Sequence, residues 1–259
     1  MILLGYGIYC IKEYNIILEQ VNNKKTQKMT SSQIFKVSQL VYNSRGHLLE
    51  MLEDRGYDIT SLKSYTEDEI KIMLDGQNTG KFGNLSERGP LDILLEKHAG
   101  TPAAEKIYVK YKLDDRFKST NTLTTQINEI FENILTTKDT LIILNIARVL
   151  MKVGVKDKVD EEYVNHLYAS KNYFVQLYGL ENFLFNVSRH VQVPSHKVLS
   201  KQEVANLLEE YNCTVKNLPT IKRDDPQAKY IGLRPKQVCE IIYNNVTSGI
   251  TKKYRYCVN

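Results

Sequence analysis

Three groups of residues in this 259-residue chain have types and spacing that bear on chemistry. The first lies in "PLDILLEK" and "KIYVKYK". A two-strand metal nuclease needs an aspartate on one strand, then an acidic residue and a lysine two positions apart on the next. The carboxylates hold Mg²⁺ while the lysine stabilises charge or positions water. Asp92 supplies the first element and Lys112 the last, but Lys110 stands in the place of the second carboxylate, where a cation repels the metal. Glu105 is adjacent to Lys106 rather than spaced from it, and lies before the strand. The second group is the pair Asp224 and Asp225 ahead of Pro226. Adjacent side chains point in different directions, so an Asp-Pro pair reads as a helix cap with proline at the first helical position. The third is His196, between Ser195 and Lys197, which has no positioned nucleophile or carboxylate and reads as a histidine fixing a loop by hydrogen bonds.

No GxxxxGK[ST], HExxH or GxSxG occurs, and the histidines at 47, 98, 166, 190 and 196 are scattered. Cys10, Cys213, Cys239 and Cys257 form no CxxC or His-paired cluster, which points to neither a zinc site nor a disulfide framework and fits a reducing compartment. No catalytic, cofactor-binding or metal-binding residue is expected. A Mg-dependent DNA nuclease or repair enzyme built on the middle of the chain is the alternative reading.

Composition, at 42% hydrophobic and 25% charged, describes an ordinary chain of one or two domains. The net charge of +5 sits in the tail: residues 190–259 carry eleven Lys or Arg against six Asp or Glu, and the first 189 residues are balanced. Such a face meets nucleic acid, an acidic protein partner or only solvent. The stretch from Met1 to Ile11 is uncharged but short, and Lys12 and Glu13 interrupt it, so it reads as neither signal nor anchor and no membrane partner is expected.

The elements divide the chain into three regions. Residues 1–28 are an atypical extension. Thr30 and Gln33 make a capping box ahead of a helix whose apolar face is Ile34, Val37, Val41, Leu48 and Leu52 and which stops near Gly56. Residues 29–188 then read as an α/β domain. A helix near Glu67 to Leu74, a Gly-rich loop and strands at 91–97 and 106–113 precede a helix over Ile127 to Ile134 and a buried strand at 140–146. Residues 189–259 read as a compact α+β module. Ser200 and Glu203 cap a helix ending at Tyr211, "LPTI" is a short strand, and Pro226 opens a helical turn that Gly232 closes. Two strands follow, joined through Thr247, Ser248 and Gly249.

The last 70 residues resemble the fifth subunit of eukaryotic nuclear RNA polymerases and its shorter archaeal counterpart. The family pattern is met by Val193, Pro194, His196, Leu199, Ser200 and Tyr211, then Leu218, Pro219 and Ile221. Asp225, Pro226, Ala228, Tyr230, Gly232, Gly249, Tyr254 and Arg255 complete it, in order and at matching spacing. Each proline and glycine among them imposes its own backbone geometry. "VYNSRGHLLEMLEDRGYDIT" is similar to the opening helix of the family's N-terminal jaw domain, with Arg55, Gly56 and Tyr57 at its end, so the likeness covers about residues 32–259. Two departures stand out: the family usually has glycine where Lys236 stands and arginine where Tyr243 stands.

The resemblance implies a non-catalytic subunit of a multisubunit DNA-directed RNA polymerase. Its jaw domain would be restriction-endonuclease-like without catalysis, and its C-terminal assembly domain would dock on the largest subunit. The intersubunit residues carried over are Pro194, His196, Leu218, Pro219, Asp225, Pro226, Tyr230, Gly232, Tyr254 and Arg255. The family's loop near downstream DNA falls around residues 147–158, where Arg148, Lys152, Lys156 and Lys158 either contact phosphates weakly and without sequence preference or form a solvated loop. Abundant Asn, Ile, Lys and Tyr fit an AT-rich genome and a divergent lineage such as a large DNA virus. The expected location is then a virion or cytoplasmic viral factory, or the nucleus in a cellular lineage.

Overall fold

The computed structural model describes residues 31–60, 62, 65–76, 88–97, 105–112, 120–145, 157–245 and 249–259. The chain divides into two compact units, Met1–Phe185 and Asn186–Asn259. Each is built on a mixed four-stranded sheet with helices packed against it, an α+β fold. Among the described residues no helix is long and apolar enough to cross a membrane.

In the first unit, helix α1 (Ser31–Asp54) buries Val37, Val41, Leu48, Met51 and Leu52, which line one stripe at helical spacing. Its end is set by Gly56, whose φ of 86° only glycine adopts at little cost. Gly56 N donates to Glu53 O (2.8 Å) and Tyr57 N to Leu52 O (3.1 Å), the paired bonds of a Schellman stop. Thr30, expected as the N-cap of α1, lies outside the described residues. Helix α2 (Glu67–Gly76) has its own capping box: Thr66 N donates to Glu69 Oε2 (2.9 Å) and Glu69 N to Thr66 Oγ1 (3.3 Å).

The first sheet runs in the order β1 (Ile93–Glu96), β2 (Lys106–Lys112), β3 (Thr140–Asn145), β4 (Phe174–Gly179). Strand β1 is antiparallel to β2, while β2, β3 and β4 are parallel. The parallel pairs are bridged by helices α3 (Thr120–Asn133) and α4 (Asp157–Lys171), as parallel crossovers require. Tyr108, Leu141, Ile143 and Val175 on one face pack with Ile127, Ile130 and Phe131 of α3 and Val164 and Leu167 of α4. The other face meets the end of α1, where Arg55 Nη2 donates to Gln176 Oε1 (3.0 Å) and to Tyr178 Oη (3.3 Å). Sequence alone did not single out α4 and β4; among the described residues of α4, Val164 and Leu167 are the fully buried ones.

The second unit has the strand order β5 (Ser195–Val198), β7 (Val238–Asn245), β8 (Gly249–Val258), β6 (Thr220–Lys222). Helix α5 (Lys201–Glu210) and the short α6 (Pro226–Tyr230) complete it. The core is Ile221, Ala228, Leu233, Cys239, Ile241 and Cys257, so α6 covers the face of β7 that carries Cys239 and Ile241. The opposite face carries Glu240 and Tyr254, and there the Tyr211 ring after α5 meets the Tyr254 ring edge-on at 6.0 Å. Thr247 and Ser248, expected in the hairpin, lie outside the described residues, and Gly249 opens β8 with φ 68°.

Candidate functional site: the C-terminal module and the Asp92 cluster

The C-terminal residues singled out from sequence have backbone roles that can be read one by one. Asp225 is the cap of α6, its Oδ1 accepting from Gln227 N (2.9 Å) and Ala228 N (3.3 Å), with Pro226 at the first helical position. Asp224 is exposed, with Lys229 Nζ at 3.9 Å. Gly232 stops α6 at φ 68°: its N–H donates to Lys229 O (3.1 Å) and Leu233 N to Ala228 O (2.9 Å). Tyr230 Oη accepts from Asn186 Nδ2 (3.2 Å). The cap carboxylate of Asp225 and the glycine at 232 thus shape one corner of the module.

Pro219 and Arg255 tie β6 to β8. Tyr256 N donates to Pro219 O (2.8 Å) and Arg255 Nη1 to Thr220 O (3.0 Å), while Leu218 beside them is half-buried. At the other edge, His196 sits on β5 opposite Ile241, and its Nδ1 is 2.8 Å from Pro194 O. The ring therefore fixes its own strand entry. Tyr254 donates to Glu240 Oε1 (3.2 Å), which also receives Lys252 Nζ (2.9 Å). Burial, then that carboxylate, push the Tyr254 phenol up to about 12. Glu240 was missed from sequence, because what pairs it with Tyr254 and Lys252 is cross-strand register. Burial likewise pushes the thiols of Cys239 and Cys257 up to about 11 and about 12, so both are protonated packing groups at neutral pH.

In the first unit the acidic residues considered for a nuclease site, Asp92 and Glu105, do not converge, and the Lys112 side chain lies outside those described. The Asp92 carboxylate is buried and receives four donors: Gly89 N (2.6 Å), Tyr108 Oη (3.0 Å) and Lys110 Nζ (2.8 Å) on Oδ2, and Tyr111 N (3.0 Å) on Oδ1. The Lys110 side chain is only 5% exposed, so its ammonium is a buried counter-charge. Glu105 bonds Lys97 (2.8 Å) at the far end of the β1–β2 pair, and Lys106 meets Glu96 (3.0 Å). Position 97 lies about 17 Å along the strand from 92, too far for Glu105 to share a cation with Asp92. Burial first, and then Asp92, raise the Tyr108 phenol above its ordinary range, which keeps it a donor. Arg148, Lys152 and Lys156 lie outside the described residues, and Lys158 stands at the second position of α4.

Residues 185–257 match the family model described as RNA polymerase Rpb5, C-terminal domain. The DNA-directed RNA polymerase subunit Rpo5 of Pyrococcus abyssi is 42% identical over 74 residues, 29% of this chain and 90% of that relative. The chain belongs to the RNA polymerase subunit 5 family. Within it the likeness is not confined to the module. DNA-directed RNA polymerases IV and V subunit 5B of Arabidopsis thaliana is 28% identical over 219 residues, 84% of this chain and 89% of that relative. RPABC1 of Caenorhabditis elegans, a subunit of DNA-directed RNA polymerases I, II and III, is 26% identical over 223 residues, 84% of the chain and 95% of that relative. Nothing in these comparisons supports the nuclease alternative.

The departure at Lys236 has a geometric meaning. Gln237 N donates to Arg234 O (3.1 Å), closing a four-residue turn with Pro235 and Lys236 at its centre. Lys236 has φ 73°, the left-handed conformation that the third residue of a type II turn requires and that glycine supplies. Glycine would meet this requirement at little cost, and Lys236 holds the same backbone under strain. Lys236→Gly is expected to raise unfolding free energy by roughly 0.5–1 kcal/mol, the relieved strain being partly offset by glycine's extra freedom when unfolded. Urea unfolding of the two full chains measures it.

Two further outcomes follow from the charges. Asp92→Asn removes the counter-charge 2.8 Å from Lys110 and is expected to cost about 3–5 kcal/mol; adding Lys110→Met recovers most of it, as a double-mutant cycle in urea reads. Glu203 closes the capping box of α5 and bonds Lys197 (2.7 Å) and Ser200 N (2.7 Å). The Lys197 bond first, then the Ser200 bonds, lower its carboxyl from 4.5 to about 2. A lowered folded-state value stabilises above pH 4.5 and loses that contribution as pH falls through about 2. The difference in melting temperature between Glu203→Gln and the unsubstituted chain should therefore be present at pH 7 and shrink toward zero by about pH 2.

Proposed function

We propose that this chain is a non-catalytic subunit of a multisubunit DNA-directed RNA polymerase. Residues 189–259 dock on the largest subunit through the surface around Pro194, His196, Leu218, Pro219, Asp225, Pro226, Tyr230, Gly232, Tyr254 and Arg255. Residues 29–188 are a restriction-endonuclease-like jaw domain, forming part of the lower jaw beside incoming duplex. The observation that carries the reading is the length of the likeness: relatives named as polymerase subunits align with 84% of the chain, far more than the second unit alone contains. The jaw assignment is supported by the β1–β2 pair, which has the layout of a nuclease hairpin while its one central carboxylate is used up by internal donors.

Arg148, Lys152, Lys156 and Lys158 make weak, sequence-independent contacts to downstream phosphates. The source is a divergent lineage such as a large DNA virus, in which the subunit resides in a virion or cytoplasmic factory; in a cellular lineage it is nuclear. The expected result is that the affinity-tagged full chain recovers the large polymerase subunits at one-to-one stoichiometry from its source. Recovery of the chain alone would overturn the assembly role. Crosslinking in an assembled elongation complex should join residues 145–160 to downstream DNA. Its absence would remove the jaw placement and leave the assembly role standing.

A further inference from the structure

The central hairpin of the second unit is longer than the strands that flank it. Strand β6 meets β8 only at Tyr256, Cys257 and Val258. From Gly249 to Arg255, β8 pairs with β7 on one side, and among the described residues no strand pairs with the other. The direction of the open groups follows from two bonds. Tyr256 N donates toward β6, to Pro219 O (2.8 Å), whereas Cys257 N donates toward β7, to Gln237 O (2.9 Å). Backbone groups alternate in direction along a strand paired this way, so the N–H and C=O of Ile250, Lys252 and Tyr254 face away from β7. Among the described residues the result is an edge with no strand partner, about one ordinary strand in length.

Exposed edges are usually covered, or blunted by lysine. Here the lysines do not guard the edge. Lys252 is drawn across the hairpin to Glu240 (2.9 Å), and Lys253 lies over the Tyr243 ring at 4.8 Å, both on β7. Ile250 is meanwhile 72% exposed at the start of the same edge. Lys252, Lys253 and Arg255 set three cations against the single carboxylate Glu240 along this part of the hairpin. The local charge therefore favours an acidic occupant over a second copy of the chain, whose own edge would bring like charges face to face.

We propose that the open edge of β8, Ile250 to Tyr254, takes an extended acidic segment of another polymerase subunit as an added strand. The inference rests on the polymerase reading above. Main-chain bonds to Ile250, Lys252 and Tyr254 hold the segment. An apolar side chain covers Ile250, and carboxylates meet Lys252 on one face and Lys253 on the other.

Amide hydrogen exchange on the full chain, free and within the assembled polymerase, tests this directly. The amides of Ile250, Lys252 and Tyr254 should exchange at least about tenfold more slowly in the assembly, while those of Thr251 and Lys253, already bonded to β7, change little. Lys252→Pro is the matching variant, since proline is tolerated at an edge position whose N–H faces outward. It should melt like Lys252→Ala, which controls for the lost Glu240 contact, yet enter the polymerase at least about tenfold less well. If Lys252→Pro fails to fold, the exchange pattern of the unsubstituted chain decides. Normal incorporation with all three amides unprotected overturns the edge inference and leaves the polymerase reading intact. Protection of the same amides by duplex DNA, or by self-association of the free chain, also overturns it. A chain that never joins the polymerase subunits overturns both.

Discussion

The antiparallel ladder between β7 and β8 is the interaction on which the second unit depends. Its register runs from Asn245 opposite Gly249 to Val238 opposite Tyr256. Without it, β5 and β6 have no strand to pair with and α6 has no surface to bury Ala228 against. A unit of this size encloses a small core, here two thiols, three aliphatic side chains and one alanine, so hydrogen-bonded closure and turn geometry must specify what burial alone does not. The turn at Arg234 to Gln237 is bound to the end of the ladder: Lys236 N donates to Cys257 O (2.9 Å). That bond explains why a lysine tolerates φ 73° there. Moving this φ out of the left-handed region would break the closing contact of the sheet.

The two units place charge differently. In the first, a complete buried arrangement surrounds Asp92: an ammonium, a phenol and two backbone amides exhaust the carboxylate. The Lys110 ammonium sits against Oδ2 where a cation would otherwise be attracted, so this hairpin is held together by its own counter-charge. In the second, Glu203 pairs with Lys197 at the solvent, where ion pairs contribute little to stability, while Glu240 is buried behind the exposed Lys252. Their effect there is placement. Glu203 fixes the start of α5, and Glu240 holds Lys252 and Tyr254 on one side of the hairpin.

Features that were legible in the sequence are those whose residue type forces a backbone angle. Pro226 after Asp225, Gly232 after a short helix and Gly56 after a long one each fix φ or supply a cap, independent of any distant contact. The lone Asp92 with Lys110 in the wrong place for metal chemistry was legible too, as an electrostatic contradiction. Its resolution was not, because the pairing of Ile93 with Val109, which sets Asp92 beside Lys110, depends on sheet register. Glu240 was invisible for the same reason. Helix α4 was missed because charged and polar residues interrupt its apolar positions: Val164 and Leu167, buried among the described residues, are flanked by Asn165, His166 and Ser170.

Several family-pattern residues in the second unit act by fixing backbone: a cap at Asp225, a stop at Gly232, a carbonyl at Pro219, a strand entry braced by His196. Lys236 shows the consequence. A lysine is accommodated at a left-handed position because the position is defined by its N–H and its φ rather than by what it presents to solvent. A surface specified in this way tolerates drift in its exposed residues while its outline and its open main-chain groups persist. Recognition through a strand edge suits such a surface, since N–H and C=O groups are the one feature that substitution, proline apart, cannot remove.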